Sequence, residues 1–143
     1  MDATSKVKLS DLVDALDWVS ADGAFDNAAY ISRQTGQIHW ESAGDELEED
    51  LPPDVADESL HASMPSRRDL DLGRRLVFAF VESQAPALRD EVRDCFSRRG
   101  AYARFKDLLD RSGLLQAWYN HEQKAVEEAL LEWAASEGFE VDR

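Results

Sequence analysis

The stretch RRGAYARFKDLLDRSGLLQAWYNHEQKAVEEALLEW, residues 98–133, decides the fold. Ala101, Phe105, Leu108 and Leu109 recur at the spacing of one helix face, and Gly113 stops the pattern. A longer helix begins near Leu114, turns Leu115, Trp118, Val126, Ala129, Leu130 and Trp133 inward, and ends at Gly138. Burial of large side chains such as Trp118 and Trp133 contributes on the order of 2–3 kcal/mol each, so this helix is expected to anchor the core.

Upstream, Pro86 suits the first turn of a helix carrying Leu88, Val92, Cys95 and Phe96, and Gly100 can close it in a left-handed cap. Before it, a 3.6-residue period from Asp71 aligns Leu72, Leu76, Ala79, Phe80 and Ser83. Near the start of the chain, Ser10 is a candidate N-cap, with Asp11 at the positive end of the dipole. Leu12, Leu16 and Val19 follow at helical spacing to about Gly23.

Strand signals lie between these helices. Residues 28–32 and 37–42 flank Arg33, Gln34, Thr35 and Gly36, with Gly36 supplying the positive φ that ends a bulged hairpin turn. Alternation assigns Ala29, Ile31, Ile38 and Trp40 to the buried face and Ser32, His39 and Glu41 to the outer one. A hairpin alone is marginal, and residues 59–64, stopped by Pro65, supply a third strand with Leu60, Ala62 and Met64 on one face. Residues 41–58 form an acidic loop centred on Pro52 and Pro53, without the oxygen-ligand order of a calcium loop. The expectation is one α+β domain spanning 1–143. It has a small three-stranded antiparallel sheet, a β-hairpin plus one strand, packed on four to five helices, with strand order open.

The chain has 143 residues and a net charge of -14, from 16 basic and 30 acidic side chains. The charge is zoned. Residues 41–66 hold nine acids and no base, whereas 67–111 hold eleven basic against eight acidic residues. Such a balance favours a folded, self-repelling and very soluble chain. The most apolar run, 76–81, is far shorter than the roughly 20 residues of a membrane span, and no apolar signal core follows Met1. A cytoplasmic protein is therefore expected. Cys95 is the single cysteine, which excludes an intrachain disulfide and reads as a small core residue.

Several of these elements occur together: the YISRQTGQIHW hairpin, the acidic loop, the strand ending in MP, the RRGAYARFKDLL segment and the WYNHE to LEW helix. In this combination the chain resembles a family of small acidic bacterial proteins that has no assigned activity. Its members show a hairpin with a TGE-like turn, a G-A-F-x-R-F-K-D stretch and a C-terminal W-Y helix. The chain departs from that pattern at Tyr102, where Phe is common, and at Gln37, where an acid is common. The resemblance implies the fold and no chemistry.

Catalytic motifs are weak. His121-Glu122 begins like a zinc-protease helix, but Ala125 stands where the second histidine would have to be. His39 and Glu41 share a strand face and, with His61, form the core of a metal-dependent enzyme reading. No glycine run cradles a phosphate, and no cofactor is called for. Arg98, Arg99, Arg104 and Lys106 with Tyr102 form a candidate nucleic-acid face. The favoured reading is a non-catalytic regulatory or adaptor protein that binds a basic protein partner through Asp45, Glu46, Glu48, Glu49 and Asp50.

Overall fold

The computed structural model describes residues 5–20, 27–41 and 51–143. In chain order these form β1 (Lys6–Lys8), α1 (Leu9–Ser20), β2 (Ala28–Ser32), β3 (Ile38–Glu41), β4 (His61–Ser63) and α2 (Arg74–Gln84). A 3-10 turn at Pro86–Leu88 leads into α3 (Arg89–Phe96), α4 (Ala101–Arg111), α5 (Leu115–Ser136) and β5 (Glu140–Asp142). The expected α+β class holds. A three-stranded antiparallel sheet of order β3-β2-β4 is joined by a second sheet, the parallel pair β1-β5. The chain divides into two compact units, Met1–Leu70 with Val126–Arg143, and Asp71–Ala125.

In the first unit the hairpin forms in the expected place, with Ala29 opposite Trp40 and Ile31 opposite Ile38. β2 is central, so its inward residues are covered from both sides. Ala29, Ile31 and Ala62 are each at most 1% exposed. Leu12, Ala15 and Leu16 of α1 are fully buried, and Trp18 donates its indole N–H to the carbonyls of Ala28 and Glu41 at 3.0 and 3.2 Å. Ser10 is not the N-cap, because α1 begins at Leu9 directly after β1; Val19 is only half-buried. Leu60 is 37% exposed instead of facing inward with Ala62 and Met64. It belongs to a turn in which the amides of Leu60 and His61 both donate to the Asp57 carbonyl, and the strand starts one residue later.

The terminal residues are a strand. β5 runs parallel to β1 with Lys6 opposite Glu140 and Lys8 opposite Asp142, a register that sets lysines against carboxylates. Gly36 lies against this pair. Its φ is +78°, its amide donates to the Ser32 carbonyl at 2.8 Å, and a Cβ there would overlap the Lys6 carbonyl oxygen. From the same turn, Arg33 donates to the Glu58 and Glu137 carbonyls, both at 2.8 Å, and to the Glu137 carboxylate at 3.0 Å. Removing these bonds with Arg33→Ala should cost about 1–2 kcal/mol, discounted for partial exposure and measured by urea unfolding.

The second unit is helical. Its core joins Val77, Phe80 and Val81 of α2, Val92 of α3, Phe105, Leu108 and Leu109 of α4, and Trp118 of α5. The α4 face and its stop at Gly113 agree with expectation, but Gly100, though left-handed, does not close α3: that helix ends at Phe96 with Ser97 as its cap, and Gly100 stands directly before α4. The phase of α2 does not. Ala79 and Ser83 are exposed, while Val77 and Val81 are fully buried. The helix starts at Arg74, and every residue of 76–81 is apolar, so periodicity alone left the buried face ambiguous. Trp118 is clamped edge-on by Phe80 and Phe105, with centroids 5.4 and 5.0 Å away. Trp133 is only half-buried and stacks on Phe139, and Ala134 takes the inward place in its turn. Among the described residues, no helix is long and apolar enough to cross a membrane.

Candidate functional site

Pleating places Tyr30 and Ser32 of β2, His39 and Glu41 of β3, and His61 and Ser63 of β4 on the sheet face opposite Ala29 and Ile31. Register sets Tyr30 beside His39, and Ser32 beside His61. The two imidazoles meet above β2, their centroids 5.6 Å apart and their planes at 65°. His61 is 7% exposed and its Nδ1 has no hydrogen-bond partner. Burial and the nearby Glu41 carboxylate push the Tyr30 phenol above its usual range. Asp57 is held below the usual carboxylate range by hydrogen bonds from the Ser59 hydroxyl and amide, with His61 adding a smaller favourable charge effect.

Three of the sequence-derived candidates, His39, Glu41 and His61, thus share one face. They do not close into a three-ligand centre, and among the described residues no three His, Cys, Asp or Glu side chains do. His121 packs instead, its ring 5.3 Å from Phe80 and stacked on Trp118.

The basic candidates are divided between two flanks of α4. Arg98 pairs with Asp94 at 3.4 Å, and Arg104 donates its Nε–H to the Arg99 carbonyl at 3.0 Å. Arg104 lines a groove of about 430 Å³ with Asp90, Glu91, Asp94, Asp107 and Arg111. On the other flank, Lys106 places its ammonium 5.8 Å from the centre of the Tyr119 ring, and Tyr102 meets Phe96 edge-on at 5.1 Å. Tyr102 and Tyr119 remain 43% and 42% exposed. The i, i+2 spacing of Arg104 and Lys106 makes this separation a consequence of helical geometry. Tyr119 is absent from the sequence-derived set; its signal was its place next to the inward Trp118. Cys95 is half-buried against the helical core. Asp45, Glu46, Glu48, Glu49 and Asp50 lie outside the described residues.

No family model, curated protein or solved structure matches this chain.

Proposed function

We propose that this is a non-catalytic regulatory or adaptor protein whose acidic surface engages a basic protein partner, and that it belongs with the small acidic bacterial proteins it resembles. The observation that carries this reading is the internal use of its cations. Arg33, Arg67, Arg75, Arg89, Arg98 and Arg111 each hold a carboxylate within 4 Å. Even if all 16 cations were so engaged, the net charge of -14 leaves 14 carboxylates unbalanced by a cation. An excess of one sign accelerates encounter with a complementary partner and makes the association sensitive to salt.

The acidic run Asp45, Glu46, Glu48, Glu49 and Asp50 is the proposed contact, since it contains no base to neutralise it. Nucleic-acid binding is the second reading, favoured by the exposed Tyr102 and Tyr119 beside Lys106. The pairing of Arg98 and the groove acids around Arg104 weaken it. Co-purification and gel filtration at low and high salt separate the two readings. A basic protein released by salt supports the proposal, and salt-released nucleic acid in its place supports the second reading. Failure to retain either at low salt contradicts both.

A further inference from the structure

We propose that His39 and His61 form a two-imidazole site for a divalent transition metal of the zinc, nickel and copper class. β3 and β4 lie on opposite sides of β2, so their backbones are about 10 Å apart. Their imidazoles nevertheless come within 5.6 Å, centroid to centroid, so both rings lean inward over the central strand. The small Ser32 side chain, next to His61 in the register, leaves room for that approach.

The angle between the rings matters as much as the distance. Imidazole lone pairs lie in the ring plane, so stacked parallel rings cannot aim two nitrogens at one point. The two planes are inclined at 65°, so the rings are not stacked and their planes share points where one ion could meet a nitrogen of each. Zinc binds imidazole nitrogen at about 2.0–2.1 Å, which sets two rings on one tetrahedral ion with centroids roughly 5 Å apart. The observed separation of 5.6 Å lies close to that value.

The second observation is independent of the ring geometry. His61 is more than nine-tenths buried, and its Nδ1 has no hydrogen-bond partner. Buried polar atoms ordinarily have one, and a coordinated metal satisfies a ring nitrogen as a proton donor would. Imidazole donors select borderline transition metals over magnesium and calcium. With two protein ligands the site keeps open positions for water or for a donor from outside the chain.

Zinc titration by calorimetry in excess magnesium tests the assignment, because magnesium occupies the abundant carboxylates and leaves imidazoles free. One equivalent of zinc should bind per chain. The affinity should fall at least tenfold in His39→Gln and in His61→Gln, and stay unchanged in His121→Gln. No zinc uptake above the magnesium background overturns the site, as does uptake that His39→Gln leaves intact or that His121→Gln weakens equally. His39 is only partly buried, so its variant decides the matter even where His61→Gln does not fold.

Discussion

Gly36→Ala should unfold at far lower urea concentration than the parent, with a loss of about 3–5 kcal/mol, near the top of the range for single substitutions. Two costs combine. At φ +78° an alanine sits in the left-handed region, which costs roughly 1–2 kcal/mol for a residue with a Cβ. The new methyl would also occupy the space of the Lys6 carbonyl oxygen, a backbone atom held by the β1–β5 pairing. Relief requires moving either the turn or the strand, and the turn is fixed by Ser32, whose backbone N–H donates to the Gln37 carbonyl at 2.9 Å. Gly100→Ala provides the comparison. Its φ is +69°, but nothing lies within 4 Å of its Cβ position, so only the conformational cost of about 1–2 kcal/mol applies. Equal losses for the two variants would show that the approach of Lys6 to Gly36 is not a determinant of the fold.

Trp118→Ala should cost about 3–5 kcal/mol, and Trp133→Ala only about 1–2 kcal/mol. Trp118 is 1% exposed and touches Phe80 and Phe105 edge-on, so its truncation leaves a cavity between three helices. Its indole N–H has no partner, and losing that unsatisfied group offsets part of the penalty. Trp133 is half-buried and stacks on Phe139. Chemical denaturation of both variants checks the order, and a larger loss at Trp133 would reverse the assignment of the anchor.

These two cases also mark how far the residues speak for themselves. A T-G turn between two alternating runs specifies a hairpin locally, and Gly100 and Gly113 punctuate α4 where left-handed backbone is needed. The close approach of Lys6 to Gly36 joins a strand at the start of the chain to a turn thirty residues later, and no local pattern encodes it. The pairing of β1 with β5 was hidden for the same reason. Each strand has three residues, and they lie at opposite ends of the sequence. For α2, the run LVFAFV offers apolar side chains to every direction, so only tertiary packing chooses Val77 and Val81 over Ala79.

The candidate surfaces follow the same logic. Alternation put His39 and Glu41 outward together, but the meeting of His39 with His61 depends on the order β3-β2-β4, which sequence spacing left open. The separation of Arg104 from Lys106 was readable from helix period, whereas the capture of Arg104 by the Arg99 carbonyl was not.

The most direct test of an electrostatic working surface is the affinity for a fluorescent arginine-rich peptide, measured by anisotropy. The parent protein is compared with the variant D45N/E46Q/E48Q/E49Q/D50N. At about 0.1 M salt, where charges act over ~10 Å, the parent should bind at least tenfold more tightly than the variant. At about 1 M salt, where that reach shrinks to ~3 Å, the difference should vanish. Peptide binding that is absent at low salt, or indifferent to both salt and the five substitutions, would contradict it.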